Sequence, residues 1–421
     1  MHIQTMIKKI KKIFYFPLAY YFRFFAKIQL LLWRPQIVVV TGSSGKTTLL
    51  HLIESQLGNK ARYSHFANSS YGIPFDILGL KRKTLKPDEW IFLFLAAPFN
   101  AFKIPPREKL YIVEADCDRP GEGKFLATLL KPRITLWTNS SLTHSMNFDN
   151  LASQGLAWEA REAIAHEFGY FLEFTKKLCI VNGDFTLIRK NLKRTQAQVE
   201  SVSKNLLNDY KVFKNHTEFT IDNKKYSIKF IVPKDTFYAL AMTNLLVETL
   251  GIPHDPSFSK FYLPPGRCSV FKGIKNTTII DSSYNATPDG VRTILEMFNQ
   301  TPFQNKWLVL GDMIELGNEE KEEHEKLGGL IKTMKLSNII LVGPRVSQYV
   351  SPIIPNAQIF LMPKEALDYL QTNIKGKETI LFKGARFLEG IIQHLLADKD
   401  DTSKLCRQEK VWKERRRQWE L

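Results

Sequence analysis

The sequence that decides the fold reads Thr41-Gly42-Ser43-Ser44-Gly45-Lys46-Thr47-Thr48. It follows the apolar run of residues 37–40 and precedes the largely apolar residues 49–53, so a buried strand is predicted to enter a glycine turn from which a helix leaves. The two glycines allow the backbone to curl until successive N–H groups point into one concavity, and the helix N-terminus adds its positive dipole end. The segment therefore predicts a phosphate-binding loop.

The residue types in this loop suit a nucleotide polyphosphate. Lys46 can reach a terminal phosphate, and the Thr47 hydroxyl can ligate Mg²⁺. The spacing G-x-x-x-x-G-K would require a glycine at position 40, where this chain has Val40. The alternative is a tight strand-to-helix turn with an exposed lysine, but the order strand, glycine, Gly-Lys-Thr, helix favours phosphate binding. The predicted ATP-binding residues of the loop are Gly42, Ser43, Ser44, Gly45, Lys46, Thr47 and Thr48.

Length, charge and cysteine usage limit the class of protein. A chain of 421 residues is too long for one hydrophobic core, so two or three domains are expected. The net charge of +17 favours acidic partners: nucleotides, phosphorylated substrates, nucleic acid or an anionic membrane surface. The four cysteines form no C-x-x-C pair and indicate neither a zinc site nor a disulfide framework, which fits a reducing cytoplasm.

Residues 1–35 combine aliphatic, aromatic and basic side chains. No apolar run reaches the roughly 18 residues that a spanning helix needs, and no small-residue cleavage site follows. Two alternatives remain: an amphipathic segment on the inner face of an anionic membrane, or a helix packed on the protein's own surface. The apolar insertion at residues 86–108 is either core or part of the same membrane-facing patch.

Two domains of α/β class are expected between this segment and a basic tail. Residues 36–265 alternate strand-like and helical stretches, which predicts a central P-loop ATPase domain with a mostly parallel sheet. The polar residues 200–215 predict a surface connection within it. Five strand runs separated by helices predict a Rossmann-like domain over residues 266–397, and residues 398–421 predict a solvated helical tail.

Polar side chains follow two of the predicted strands. Glu114 ends the strand of residues 110–114, and the strand of residues 134–138 leads through Asn139 to His144. Functional groups of parallel sheets lie at the carboxyl ends of strands, where Glu114 falls. An isolated loop histidine usually has a structural role. His144 becomes a candidate functional residue because it follows the phosphate loop and Glu114 in the sequence.

The loop resembles that of the Mur ligases and their folate and poly-glutamate relatives, which join a carboxylate to an amine at the expense of ATP. The stretches around Glu114 and His144 resemble the family segments whose Glu and His hold metal ions, and the segment from Asn68 to Pro74 resembles one on the acceptor side of the site. The resemblance therefore implies that Lys46, Glu114 and His144 are catalytic, that Glu114 and His144 ligate Mg²⁺ with Thr47, and that Asn68 contacts substrate.

Three C-terminal segments resemble the branch of this family that adds D-alanyl-D-alanine to a UDP-muramoyl tripeptide. They begin at Asp281, Leu310 and Phe382, and the stretch Gly311-Asp312-Met313-Ile314-Glu315-Leu316-Gly317 is the most specific. The resemblance implies further ATP-binding residues, namely Arg267, Asp281, Tyr284 and Asn285, and further substrate residues, namely Asp312, Lys383 and Arg386.

The sequence departs from the family in two places. The family usually has, some 15 to 20 residues after its metal-binding His, a lysine that CO₂ converts into a metal-binding carbamate, but no lysine lies between Asn139 and Lys176. Either Glu159 or Glu162 supplies a carboxylate, or the second metal binds more weakly, or the protein is catalytically degenerate. Residues 1–35 also do not resemble the family's N-terminal domain, which grips uridine diphosphate.

The sequence thus predicts an ATP- and Mg²⁺-dependent ligase of peptidoglycan precursor synthesis in the cytoplasm, acting through an acyl phosphate on a small-molecule acid and amine, with no nucleic-acid partner. One alternative is a Mur-type ligase for a different, membrane-associated acid, which would place the protein on the inner face of the membrane. Another is a non-catalytic nucleotide-binding partner of cell-wall assembly.

Overall fold

The computed structural model describes residues 2–65, 67–82, 88–149, 159–385, 387–417 and 419, with side chains from residue 14 onward. The chain forms two compact units. The first contains Met1–Gly42, Leu57–Thr138 and Ala165–Ser201, and the second contains Ser43–Gln56, Asn139–Ile164 and Val202–Leu421. The domain boundary predicted at residue 265 lies inside the second unit and remains a prediction.

A six-stranded sheet forms the centre of the first unit, in the order β2-β3-β1-β4-β5-β6. Its strands are β1 Gln36–Thr41, β2 Arg62–Tyr63, β3 Leu110–Ala115, β4 Ile134–Trp137, β5 Leu178–Asn182 and β6 Gln198–Val202. β1 pairs in parallel with β3 on one side and β4 on the other. Strand order therefore reverses at β1, and the loop after β1 begins at the topological switch point where such sheets bind ligands.

Seven helices lie in the N-terminal half of the described chain: α1 His2–Trp33, α2 Lys46–Leu57, α3 Gly72–Leu78, α4 Glu89–Ala101, α5 Glu122–Leu130, α6 Ala160–Glu173 and α7 Thr186–Asn191. None of the helices within the described ranges combines the length and the apolar character needed to cross a membrane.

The described side chains of α1 pack on the first unit. Ala19, Phe22, Ala26 and Trp33 are fully buried, at the three- and four-residue spacing of one helix face. The Phe22 ring makes an edge contact with Phe75 of α3, with ring centroids 4.8 Å apart. The alternative of a helix packed on the protein's own surface is therefore confirmed for residues 14–33.

The second unit contains a three-stranded antiparallel sheet and a six-stranded sheet in the order β10-β11-β15-β12-β13-β14. Its strands are β7 Leu207–Val212, β8 Thr217–Ile221, β9 Lys224–Ile228, β10 Ser269–Lys272, β11 Thr278–Ser282, β12 Lys306–Gly311, β13 Asn338–Val342, β14 Gln358–Phe360 and β15 Thr379–Lys383. The prediction of a plain surface connection over residues 200–215 is wrong, because β7 lies there.

Helices cover both faces of the larger sheet: α9 Pro288–Gln300 and α10 Glu320–Lys332 contribute to one apolar cluster, and α11 Pro363–Asn373 and α12 Leu388–Leu395 to the other. Along β12, Leu308 and Leu310 belong to the first cluster, whereas Trp307 and Val309 belong to the second. This alternation is the two-residue period of a strand buried on both faces, and it confirms the predicted Rossmann-like layers. The remaining helices are α8 Thr236–Thr249 and α13 Lys410–Arg417.

The C-terminal tail is not the freely solvated helix that its charge predicts. Arg416 of α13 is 2% exposed and forms an ion pair with the fully buried Glu389 of α12 at 3.3 Å. Arg407 reaches the same carboxylate at 3.4 Å. Two tail cations are therefore held by one buried carboxylate, because leaving that carboxylate uncompensated in the interior would be costly.

Candidate active site

The phosphate-binding loop connects β1 to α2 in the predicted order. Gly42 and Gly45 adopt φ values of 126° and 77°, in the region that favours glycine, and no atom lies within 4 Å of the position that a Cβ at Gly45 would take. Lys46 is the first residue of α2 and is 5% exposed. The open backbone turn and the helix N-terminus form a cradle that fits a phosphate chain.

Hydrogen bonds from the segment after β4 hold this loop in place. The Asn139 side chain accepts from the Ser44 N–H at 2.9 Å and donates to the Ser44 hydroxyl at 2.6 Å. Ser43 Oγ donates to the Ser141 carbonyl at 2.7 Å and accepts from the Ser141 N–H at 2.9 Å. Asn139 and Ser141 are positioning residues that the sequence does not single out for this task.

A C-terminal residue reaches the loop. Arg267 Nη2 donates to Thr47 Oγ1 at 3.0 Å, and the Arg267 guanidinium lies over the ring of Tyr284, 4.2 Å from its centroid. Tyr284 is 43% exposed, so part of this side chain remains accessible. The structure thus brings together three of the predicted nucleotide-binding residues from distant parts of the sequence.

Two further predicted residues, Asp281 and Lys383, lie buried at the ends of neighbouring strands β11 and β15. Burial raises the pKa of the Asp281 carboxyl to about 6, although Ser283 donates two hydrogen bonds to it. Burial lowers the pKa of the Lys383 ammonium to about 8. Lys383 donates to the carbonyl of Asn285 at 2.6 Å, and Asn285 itself is exposed. Lys383 therefore anchors the loop that presents Tyr284 and Asn285.

Asp312, which the resemblance assigns to substrate, makes structural hydrogen bonds. Its Oδ1 accepts from the backbone N–H groups of Arg345 and Val346, both at 3.0 Å. A Cβ at Gly384 would lie 2.4 Å from the backbone of Gly311, so both motif glycines permit a close approach of two chain segments. Arg386, the remaining predicted substrate residue, lies outside the described residues.

His144 forms a pair with Glu315 of the most specific C-terminal motif. His144 Nδ1 lies 2.6 Å from Glu315 Oε2, and the Glu315 carbonyl accepts from the Met146 N–H at 3.2 Å. A carboxylate on Nδ1 favours the tautomer whose Nε2 lone pair suits a metal ion. Glu315 is therefore a site residue that sequence reasoning missed. Its position in the motif is the one feature of the sequence that points to it.

Glu114 and Asn68 lie in the first unit. Glu114 is the penultimate residue of β3, beside Val40 of β1, and is half-buried, with its N–H donating to Ser64 Oγ at 2.9 Å. The Asn68 carbonyl accepts from the Asp116 N–H at 2.8 Å. Both predicted residues thus stand at the carboxyl-terminal edge of the sheet, where the loop after β1 begins.

Glu159 and Glu162 lie at the beginning of α6. Glu159 is exposed, and its carbonyl accepts from the Glu162 N–H at 2.9 Å, whereas Glu162 is half-buried. Arg161, which stands between them, donates to Glu323 of α10 at 2.9 Å. Arg161 is therefore ion-paired, although it shares Glu323 Oε1 with Lys326, whose Nζ lies 3.0 Å away.

The donor atoms present suit Mg²⁺. Thr47 and Glu114 offer hydroxyl and carboxylate oxygens, the ligands that a hard divalent cation prefers. His144 is oriented by Glu315 as metal-bound histidines usually are. The predicted metal role of these residues therefore fits the chemistry of their side chains.

Together, the phosphate loop on a parallel sheet and the Rossmann-like layers define a nucleotide-dependent enzyme. The family model described as the Mur ligase middle domain matches residues 40–242, and the one described as the Mur ligase glutamate ligase domain matches residues 266–386. The chain belongs to the Mur ligase family, and it is a ligase of that type.

Two curated relatives named UDP-N-acetylmuramoyl-tripeptide–D-alanyl-D-alanine ligase illustrate this similarity. The protein from Rickettsia prowazekii is 25% identical over 373 residues, which cover 84% of this chain and 76% of the relative. The protein from Buchnera aphidicola of Acyrthosiphon pisum is 23% identical over 389 residues, which cover 87% of this chain and 77% of the relative.

Solved structures share the fold. The MurF ligase of Thermotoga maritima in complex with ADP has a TM-score of 0.70 and 22% identity, covering 94% of this chain and 84% of its own. Escherichia coli FolC in complex with DHPP and ADP has a TM-score of 0.58 and 14% identity, covering 87% of this chain and 89% of its own. The predicted α/β architecture is thereby confirmed.

Proposed function

We propose that this chain is an ATP-dependent ligase of peptidoglycan precursor synthesis, which joins the carboxylate of a muramoyl peptide to the amine of D-alanyl-D-alanine or a similar dipeptide. The observation that carries the proposal is the hydrogen bond of 3.0 Å from Arg267 to Thr47, which sets a predicted nucleotide-binding residue of the C-terminal part of the chain against the phosphate loop. The names of the curated relatives support the choice of acid and amine.

In the first half-reaction an oxygen of the substrate carboxylate forms a bond to the γ-phosphorus of ATP. The bond from that phosphorus to the β–γ bridging oxygen breaks, and its electron pair stays on ADP. The γ-phosphate and the substrate carboxylate are both negatively charged and must approach each other. Lys46, the loop N–H groups and Arg267 offset this repulsion, and offsetting such charge is the main task of a protein in phosphoryl transfer. The products are an acyl phosphate and ADP.

Thr47, Glu114 and His144 are proposed to hold Mg²⁺. When bound, the ion supplies positive charge that polarises phosphoryl oxygens. Glu159 or Glu162 is proposed to supply the carboxylate that a carbamylated lysine provides elsewhere in the family. Arg161 repels a metal ion less than an unpaired cation would, because it forms an ion pair with Glu323.

In the second half-reaction the amine nitrogen adds to the acyl carbon. Phosphate leaves with the electron pair of the C–O bond, and the surplus amine proton passes to solvent. Asn68, Lys383 and Arg386 are proposed to contact the acid and the amine, and Asp312 to support that contact by fixing the loop at Arg345. Tyr284 and Asn285 are proposed to contact the nucleotide together with Asp281.

The proposed place of this reaction is the cytoplasm, with the enzyme peripheral on the inner face of the membrane. The seven Lys and Arg residues among residues 1–35, which contain no Asp or Glu, support this location.

Product formation from ATP, a UDP-muramoyl tripeptide and D-alanyl-D-alanine tests the proposal. Phosphate release should require all three compounds, and mass spectrometry should find the pentapeptide product. Lys46→Ala should lower the turnover rate by a factor on the order of 10² or more, because it removes a cation facing the γ-phosphate. Lys60→Ala, on the exposed residue just after α2, is the matched control and should leave turnover unchanged.

Turnover by a folded Lys46→Ala variant at the wild-type rate would overturn the assignment of the loop. Phosphate release with another acid, but none with the UDP-linked tripeptide, would overturn the choice of substrate while keeping the ligase class. No release with any acid and amine pair, although nucleotide binds, would favour a non-catalytic partner.

A further inference from the structure

Helix α4 carries an apolar face that the first unit leaves exposed. Four of its side chains and that of the residue that follows it share this face, and each keeps 65–76% of its surface accessible: Ile91, Phe92, Leu95, Phe99 and Phe102. The opposite side of α4, with Leu93 and Ala97, is fully buried. We call these five side chains the α4 face. Contiguous apolar patches of this kind on soluble proteins mark contact sites.

Helix α1 borders the α4 face. The Tyr21 hydroxyl donates to the Phe94 carbonyl at 2.8 Å, and the Phe22 and Phe94 rings lie 5.0 Å apart. Phe24 and Leu31, seven residues apart on α1, are 61% and 62% exposed. Since residues seven apart lie on one side of a helix, α1 carries an exposed apolar stripe of its own.

Exposed cations lie on α1 and on the segment that follows α4. Lys27 of α1 is exposed, and so are Lys103, Arg107 and Lys109 after α4. The Gln29 side chain donates to the Lys103 carbonyl at 3.3 Å, which keeps this segment against α1. Apolar side chains bordered by Lys and Arg are the pattern of a helix that lies in the surface of an anionic bilayer.

We propose that the first unit docks on an anionic lipid bilayer through the α4 face, with α4 in the plane of the interface and the cations at the headgroups. A helix of 13 residues is about 20 Å long, shorter than the roughly 30 Å hydrocarbon core, so α4 lies in the membrane surface. This proposal deepens the peripheral location proposed above, and it assigns the insertion to the α4 face, whose five apolar side chains each keep 65–76% of their surface accessible.

Lipid fits the α4 face better than a second copy of the chain or another protein does. Its five side chains offer no hydrogen-bonding group, whereas protein interfaces carry about one hydrogen bond per 100–200 Å².

Vesicle co-sedimentation tests the proposal with the full-length protein. Leu95→Ser/Phe99→Ser should lower partitioning onto vesicles of 30% phosphatidylserine in phosphatidylcholine by about tenfold or more, because two apolar side chains no longer enter the interface. The matched control is Val270→Ser/Ile359→Ser, which changes two exposed apolar side chains of the second unit and should bind like the wild type. Turnover of Leu95→Ser/Phe99→Ser in vesicle-free buffer should match that of the wild type.

A fluorescent label reports insertion directly. The four native cysteines are buried, so an environment-sensitive thiol dye should label Phe99→Cys selectively, with Ile359→Cys as control. Anionic vesicles should shift the emission of the Phe99 label to the blue, and 0.5 M salt should weaken but not abolish that shift, since apolar burial is not screened. The Ile359 label should not respond.

Wild-type binding by Leu95→Ser/Phe99→Ser, no vesicle binding by the wild type, or a silent Phe99 label would overturn the proposal. A wild-type dimer that this variant converts into monomers, without vesicle binding, would instead make the α4 face an interface between copies. Absence of ligase turnover would contradict the proposed function and would leave the vesicle result standing.

Discussion

The pair of His144 and Glu315 is the most informative residue-scale feature of the site. The two side chains are 171 positions apart in sequence and 2.6 Å apart in space. Carboxylates that accept from a metal-binding histidine fix its ring and its tautomer, and they are needed almost as much as the ligand itself. Glu315 is thus expected to act through His144.

Glu315→Gln should raise the Mg²⁺ concentration needed for half-maximal phosphate release by roughly 10- to 100-fold, because a neutral amide orients and polarises the imidazole less well. A Mg²⁺ titration of turnover measures this. Glu325→Gln, on the exposed side of α10, should leave the titration unchanged. The same half-saturation in Glu315→Gln and wild type would contradict the metal role of His144.

Asp281 makes the folded state sensitive to pH. Its pKa of about 6 is above the ordinary value of 3.8, so between these values the folded protein binds more protons than the unfolded chain. The stability that this group contributes is therefore full below about pH 4 and is lost as the pH rises through 6.

Asp281→Asn should raise the free energy of unfolding at pH 7.5 by about 1–3 kcal/mol and should make little difference at pH 4, because the buried charge is removed. Urea unfolding at the two pH values measures this. Asp255→Asn is the control, for which the free energy of unfolding should change in the opposite direction. Hydrogen bonds from Ser257 and Ser259 lower the pKa of Asp255, so this variant should destabilise the protein at pH 7.5. An Asp281→Asn variant that is equally stabilised at both pH values would contradict this account.

At the scale of elements, the first turn of α6 covers the positions where the resemblance to the family predicts a carbamylated lysine. Glu159 immediately precedes this helix and Glu162 lies three residues later, so both can present a carboxylate from the same turn. A carboxylate that is already present needs no CO₂ to form.

Turnover of the wild type in degassed buffer should therefore not respond to added bicarbonate, and Glu159→Gln or Glu162→Gln should lower it by about tenfold or more through a lost metal contact. Phosphate release measures both effects. Glu173→Gln, at the other end of α6, removes only a surface ion pair with Arg194 and should cost little. Strong activation of the wild type by bicarbonate would indicate a carbamylated lysine from elsewhere in the chain.

At the scale of the whole molecule, the net charge of +17 and the open phosphate loop both favour anionic ligands. A ligand that binds only the folded state stabilises it by an amount set by its concentration relative to its Kd. Nucleotide binding should therefore be visible as thermal stabilisation even where turnover is not.

A non-hydrolysable ATP analogue with Mg²⁺, at 100 times its Kd, should stabilise the folded protein by about 2.7 kcal/mol and raise the midpoint of thermal unfolding. The same concentration should stabilise Arg267→Ala less, because the cation beside Thr47 is gone. Scanning fluorimetry measures the shift, and Arg292→Ala, a surface residue of α9, is the control. Equal shifts in Arg267→Ala and the control would contradict the contact of Arg267 with nucleotide.

The sequence by itself determined the phosphate loop, the two large sheets with the helices that cover them, and the family, because each is encoded in short segments. A strand, two glycines and Gly-Lys-Thr must fold locally in one way to satisfy the backbone at residues 41–48. Strands whose central residues are all apolar, such as β1 and β15, likewise predict that both of their faces are buried.

Only the tertiary structure decided which distant groups meet. Sequence spacing does not reveal that Asn139 holds Ser44, that Glu315 orients His144, or that Glu389 binds Arg416 of a tail that its charge predicts to be solvated. It also leaves open which side of α1 is buried and that α4 stays exposed, since both helices are apolar on several sides. Such choices depend on the packing of whole elements, whose energies are summed over contacts between residues far apart in the chain.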